Sequence, residues 1–279
     1  MPRSTPFRPL FAVAALALTL AACDDSTGSS SFEPQGRRIF ALDGAGNLVT
    51  FGSQNPGSVR STPLSGLQPG ETLVGLDFRP SNGMLVAAGS SSRIYRVDTL
   101  TAAATVIGSA PFTPALAGTA FGFDFNPTVD RIRTHGSAGQ NLRLHPDLGT
   151  VAASDTALTY LTGDAGAGTT PRIVGTAYTN SVAGATTTLL FGIDSNRDVL
   201  TLVGAPNGGR MTTVGALGVN TGDDVGFDIF GADAAREVYA TLTVGSRSEL
   251  YTINLTTGAA TRVGQIGTSS PIRGIAVAP

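Results

Sequence analysis

Past residue 36, apolar residues fall in short, strand-length runs broken by clusters of glycine, serine, asparagine, aspartate and threonine. Such punctuation predicts β-strands joined by tight turns. One pattern recurs at wide intervals: glycine opens an apolar strand, often with aspartate two residues later. It reads Val74-Gly75-Leu76-Asp77-Phe78, Phe121-Gly122-Phe123-Asp124-Phe125, Val174-Gly175-Thr176-Ala177-Tyr178 and Val225-Gly226-Phe227-Asp228-Ile229, and Arg273-Gly274-Ile275-Ala276-Val277 closes the chain. Gly75, Gly122, Gly175, Gly226 and Gly274 are 47, 53, 51 and 48 residues apart. That spacing suits four short strands with their turns, which is one blade of a β-propeller.

The rest of each unit agrees. After the first copy, Met84 to Ala88, Arg93 to Val97 and Ala104 to Ile107 read as three more strands. Hairpin turns opened by Asp98, Asp147 and Asn254 recur between third and fourth strands, where an Asx side chain bonds the backbone two residues on. Ile39 to Leu42, Asn47 to Phe51 and Ser58 to Leu64 supply three strands with no first strand before them. Ile272 to Ala278 is a first strand with nothing after it. Pairing the two ends predicts an all-β, five-bladed propeller of four-stranded blades, the first blade closed by the C-terminal strand. Closure also removes the sheet edges on which chains aggregate. A flat β-sandwich is the competing arrangement, and Leu158 to Pro171 is a long unassigned stretch that leaves four or six blades open.

The first 36 residues do not belong to this pattern. Arg3 and Arg8 precede an apolar run from Leu10 to Ala22, too short to cross a bilayer as a helix. It ends in Leu20-Ala21-Ala22-Cys23, which resembles the bacterial lipobox, and Cys23 is the only cysteine in the chain. The expected organisation is a lipoprotein signal peptide over 1–22, removed on export, then lipidated Cys23 and a polar tether over 23–36, then a propeller over 37–279. Thirteen tether residues of this composition reach roughly 20 Å. The expected location is the envelope, anchored to a membrane through lipid, on the periplasmic face or the cell surface. Asp24 after the cysteine leaves inner against outer membrane open.

Using the only cysteine as an anchor excludes a disulfide within one chain, a thiol nucleophile and a cysteine zinc site. Without the leader, 16 basic residues, all arginine, face 20 acidic ones. A mildly acidic chain with no basic stripe is a poor nucleic-acid binder, so the expected partners are a membrane and an unknown small ligand or envelope protein.

Gly122-Phe123-Asp124-Phe125-Asn126-Pro127-Thr128-Val129-Asp130-Arg131-Ile132-Arg133, followed by Gly139-Gln140-Asn141-Leu142-Arg143-Leu144, resembles an uncharacterised bacterial family, domain of unknown function 4394. Leu73 to Pro80, Ala185-Thr186-Thr187-Thr188 and Ile272-Arg273-Gly274 match its other stretches. The resemblance covers about residues 37 to 279 and implies an exported, propeller-like protein. It lends no catalytic residues.

Two constellations carry candidate chemistry. Asp77, Asp124 and Asp228 share one repeat position, with Ala177 and Ala276 in the other two blades. First strands line a propeller axis, so these carboxylates converge there. They would either hold a hard cation such as Ca2+ through oxygen ligands or cap backbone amides between neighbouring blades. The second is the polar density of the third blade: Asp130, Arg131, Arg133, His135, Gln140, Asn141, Arg143 and His145. Arg131, Arg133, Gln140, Asn141, Arg143 and His145 would suit a carboxylate or phosphate ligand, or form a buried network in which the arginines pair with Asp130 and the axial aspartates.

Other signals fade. Asp194-Ser195-Asn196-Arg197-Asp198 starts like a calcium loop, but Val199 stands where glycine is needed. The absence of tryptophan argues against quinoprotein docking motifs and a sugar-stacking platform. With both histidines in one blade, no Ser-His-Asp arrangement stands out. The leading expectation is a non-catalytic ligand- or protein-binding module. A metal-dependent, lactonase-like hydrolase at the axis is the first alternative, and a structural surface or matrix component the second.

Overall fold

The computed structural model describes residues 1–3 and 32–279. Cys23, the tether up to residue 31 and the expected leader beyond its first three residues lie outside the described residues. From Arg38 to Val277 the chain forms five antiparallel meanders arranged as the blades of a propeller. Blade 1 holds β1 (Arg38–Asp43), β2 (Asn47–Gly52) and β3 (Asn55–Pro63), with β21 (Ile272–Val277) as its innermost strand. Blade 2 runs outward through β4 (Leu73–Phe78), β5 (Leu85–Gly89), β6 (Arg93–Val97) and β7 (Ala104–Ile107). Blade 3 has β8 (Phe121–Asn126), β9 (Arg131–Gly136), β10 (Asn141–His145) and β11 (Thr150–Ser154). Blade 4 has β13 (Ile173–Tyr178), β14 (Leu190–Asp194), β15 (Val199–Ala205) and β16 (Arg210–Ala216), and blade 5 has β17 (Gly226–Phe230), β18 (Glu237–Val244), β19 (Arg247–Ile253) and β20 (Ala260–Gln265).

The ring closes as the repeat predicts. β21 pairs antiparallel with β1, Ile39 facing Val277 and Ala41 facing Ile275. The stretch from Leu158 to Pro171 is not a further blade. It supplies β12 (Thr159–Tyr160), a two-residue strand that adds to blade 4 outside β16 in parallel.

Burial explains why inner and outer strands read differently. An inner strand has a blade on both sides, so β13 is buried at every position, whereas outer β11 alternates between exposed and half-buried. The inner glycines set how closely the blades approach the axis. A Cβ on Gly175 would sit 2.9 Å from Phe227 Cβ in the next blade, and one on Gly226 2.7 Å from the Ile275 amide nitrogen. Gly75, Gly122 and Gly274 press in the same sense on Phe123, Thr176 and Leu76. Every contact falls on the residue after the next blade's glycine, so five equivalent contacts run once around the ring. At this level the axis keeps a cavity of about 10 Å³, room for about one water.

Apolar clusters fill the spaces between blades. Phe40 and Leu42 of blade 1 pack with Leu76 and Phe78 of blade 2, and Val86 and Ile94 of blade 2 with Phe125 and Ile132 of blade 3. Phe191 and Ile193 of blade 4 meet Phe227 and Ile229 of blade 5, whose Tyr239 and Leu250 pack on Ile39 and Val49 of blade 1. The turns after the inner strands gather at one end of the axis. The chain also enters there: β1 begins beside the end of β21, and the Ala278 amide donates to the Arg38 carbonyl at 2.9 Å.

Candidate functional site at the propeller axis

Each of Asp77, Asp124 and Asp228 lies two residues past the glycine of its inner strand and is buried. One carboxylate oxygen of each accepts a backbone amide from the next blade. Asp77 accepts from Phe125 at 2.8 Å, Asp124 from Tyr178 at 3.0 Å and Asp228 from Val277 at 2.6 Å. Three of the five interfaces are therefore stapled at this level by an aspartate, and Ala177 and Ala276 offer no acceptor at the same position of the other two. The carboxylates also converge, one oxygen of each lying within 4.8 Å of the others. They converge as their shared repeat position predicts, and each caps an amide of the next blade.

Crowding three buried acids raises their proton affinity. Burial pushes Asp228 up to about 6. Burial and the Asp228 charge hold Asp77 well above the usual carboxylate range, and burial with Asp77 and Asp228 does the same to Asp124. For calcium the three carboxylates would supply part of the six to eight oxygen ligands, each amide-bonded oxygen keeping a second lone pair and water completing the shell.

At the end of the axis where the chain enters, a cavity of about 220 Å³ has Asp77 and Asp228 in its lining and mainly apolar walls, including Phe78, Val182, Phe230 and Pro279. Arg79 also lines it, but its guanidinium is engaged elsewhere. It donates to Asp130 at 2.9 Å through Nε and to Asp147 at 2.5 Å through Nη1, tying blade 2 to two turns of blade 3. Those bonds hold the Asp130 and Asp147 carboxyls below their ordinary range.

The polar residues of the third blade separate into a network and scattered contacts. Arg133, only 2% exposed, donates to Asp155 at 2.5 Å, Asn141 at 2.7 Å and, in blade 4, Asn207 at 2.8 Å and the Tyr178 hydroxyl at 3.2 Å. Arg143 adds a two-pronged pair to Asp155 at 2.8 and 2.9 Å. Burial works against the charged form of Asp155, but Arg143 and Arg133 prevail and hold its carboxyl below the ordinary range. Between blades 3 and 4 a buried, charge-paired arginine thus reaches across to neutral Asn207 and Tyr178, beside an apolar cluster that includes Leu158, Ile173 and Tyr178. Arg131 instead donates to the Asp130 carbonyl at 2.8 Å, Gln140 donates to the Ala115 carbonyl at 2.7 Å, and His145 accepts the Asp147 amide at 3.3 Å within its own turn. The expected pairing of arginines with Asp130 and the axial aspartates is replaced: Asp130 serves Arg79, and Asp155 serves Arg133 and Arg143.

His135 is fully buried, its Nδ1 2.8 Å from Thr176 Oγ1 and its Nε2 without a partner among the described residues. Burial and then the Arg133 charge push it down to about 3, so it is neutral at physiological pH. Asp155, Asn207 and Arg79 were not singled out in the sequence. Arg79 had a signal, directly following the repeat at Phe78; Asn207 meets Arg133 across 74 residues and had none.

The staples give a direct expectation. Asp228→Ala leaves the buried Val277 amide without an acceptor and is expected to cost about 1–3 kcal/mol in urea unfolding. Asp228→Asn keeps an acceptor and removes a charge, so its loss is expected to be smaller. Equal losses for the two would show that the amide bond is not what Asp228 supplies.

A family model described as a domain of unknown function, DUF4394, matches residues 47–276. No curated protein matches. Among solved structures, the mitotic checkpoint complex contains a chain that is 11% identical, with a TM-score of 0.42 over 99% of this chain and 92% of that one. An auxiliary nutrient binding protein from Bacteroides ovatus is 12% identical, with a TM-score of 0.44 over 72% of this chain and 55% of that one. Likenesses this distant carry nothing about activity. The family match spans the propeller from β2 to β21, and the chain belongs to the DUF4394 family.

Proposed function

We propose that this protein is a non-catalytic binding module of the bacterial envelope, held to a membrane by lipid on Cys23, which takes a small ligand in the axial cavity. The observation that supports it is the cavity itself, a preformed apolar space of about 220 Å³ with two buried carboxylates in its lining. Concave apolar sites with a few convergent polar groups are where proteins hold small molecules. Its size admits a compact ligand, and carboxylates favour one that donates hydrogen bonds or carries positive charge.

The test is thermal melting of the full chain against small organic amines and polyols, one at a time. At least one compound is expected to raise the melting temperature of the wild type and not of Asp228→Asn or Phe230→Ala. No shift with any compound, or the same shift in the variants, would contradict the reading. A metal-dependent hydrolase at the same carboxylates is the second reading, favoured by their 4.8 Å convergence. It requires that Ca2+ or another divalent cation stabilise the wild type and leave Asp124→Asn unmoved.

The anchor is tested separately. Cys23→Ala is expected to move the protein out of the membrane fraction with the melting of its propeller unchanged. A variant that stays with the membrane would exclude lipid on Cys23 as the attachment.

A further inference from the structure

We propose that the end of the propeller where the chain enters lies against the bilayer, with Leu100, Val129, Leu148 and Leu189 seated in the lipid interface. The inference rests on the anchor proposed at Cys23.

The four side chains are the most exposed large hydrophobics of the propeller, at 76% for Leu100, 57% for Leu148 and 54% each for Val129 and Leu189. Lone exposed leucines are ordinary; these four share one end of the molecule. Val129 and Leu189 lie in the turns after inner strands β8 and β13, and Leu100 and Leu148 in the turns β6–β7 and β10–β11. In an antiparallel meander the first and third turns fall at the same end, and the contacts agree. Gly83 of the β4–β5 turn shares one cleft with Asp98 and Thr99 of the β6–β7 turn. The Arg79 guanidinium joins Asp130, next to Val129, to Asp147, next to Leu148.

The carboxylates beside these apolar tips are already satisfied, which lowers the penalty of bringing them towards lipid. Asp130 and Asp147 share Arg79, and Asp98 accepts the amides of Leu100 at 2.9 Å and Thr101 at 2.8 Å. The occupant follows from where the chain enters. Arg38 opens β1 at this end, and the residues between it and Cys23 reach roughly 20 Å. A domain tied that closely to a lipid presents the end from which its tether leaves.

The chain has no tryptophan, so a single introduced one reports its own surroundings. The full-length lipidated chain carrying Leu148→Trp, Leu189→Trp or Val244→Trp is reconstituted into phosphatidylcholine vesicles, with and without brominated acyl chains, and floated. Val244 closes β18 at the opposite end of blade 5 and is itself 41% exposed. Protein is expected to float with the vesicles. Bromolipid is expected to quench Leu148→Trp and Leu189→Trp about twofold or more, as for side chains seated roughly 5–10 Å into the headgroup–acyl boundary, and to leave Val244→Trp unchanged. Floated protein with no quenching at Leu148→Trp and Leu189→Trp, or equal quenching at all three, would overturn the orientation and leave the anchor standing. Protein that does not float would overturn the anchor and this inference with it.

Discussion

Removing residues 272–279 is expected to abolish cooperative unfolding. β21 is the inner strand of blade 1 although it comes last in the chain, and Ile272, Ile275, Ala276 and Val277 are each at most 2% exposed. Burying the three large ones is worth roughly 1.5–3 kcal/mol each, a sum comparable to the whole stability of a domain, about 5–15 kcal/mol. The truncation would also strip Asp228 of the Val277 amide and leave β1, β4 and β17 facing a gap along the axis. Exposed strand edges of that kind pair with other chains. The expected product aggregates or binds a hydrophobic dye and shows no single melting transition. A soluble truncation that melts like the full chain would mean that β21 does not hold the ring.

Asp155→Ala is expected to destabilise the protein by about 3–5 kcal/mol, the usual result of stripping a buried charge of its partner. Arg133 would keep Asn141, Asn207 and Tyr178 around it, but all three are neutral. Arg143→Ala is the contrasting case. Its side chain is 32% exposed, and Asp155 would still hold Arg133, so the expected loss is about 1 kcal/mol or less. Replacing the pair together, Arg133→Met with Asp155→Leu, is expected to cost less than Asp155→Ala alone, because no charge is left buried. Urea unfolding of the four proteins reads all three comparisons. A loss below about 1 kcal/mol for Asp155→Ala would show that the network is not holding blades 3 and 4 together.

What was legible in the sequence follows from how local each feature is. Gly75, Gly122, Gly175, Gly226 and Gly274 recur because each touches the next blade in the same way, so one steric demand is written five times at blade spacing. Asp77, Asp124 and Asp228 were legible for the same reason: a shared repeat position is a shared level on the axis. β12 was not, since two residues pairing in parallel with β16 leave no periodicity. Arg133 and Asn141 stood out as polar residues on apolar strands, but Asp155 lies beyond β11 and meets them only because the sheet turns back. Arg79 carries its two carboxylates across the blade boundary, a contact that no spacing within one blade reveals. The axial cavity is formed by turns of blades 2, 4 and 5 with the C-terminus, which only the closed ring brings together.

The central claim is that three buried carboxylates staple the blades at the axis while crowding one another. Asp228 binds its proton more tightly in the fold, about 6 against an ordinary 3.8, chiefly through burial, and Asp77 and Asp124 are raised likewise. These three carboxylates therefore bind more protons in the fold than in the unfolded chain above about pH 4, and their contribution to stability falls as pH rises through about 6. Buried His135, down at about 3 against an ordinary 6.5, acts oppositely and weakens the fold as pH falls below about 6.5. Asp130, Asp147, Asp155 and Asp223, held down by arginines, also oppose the three and lose their contribution only as pH falls below the ordinary carboxylate range. The direct measurement is the free energy of urea unfolding at pH 5 and pH 8, for the wild type and for Asp228→Asn. The His135 contribution is common to both proteins, so the wild type is expected to lose more stability than Asp228→Asn between pH 5 and pH 8, by about 1 kcal/mol or more. Parallel pH profiles for the wild type and Asp228→Asn would contradict the account.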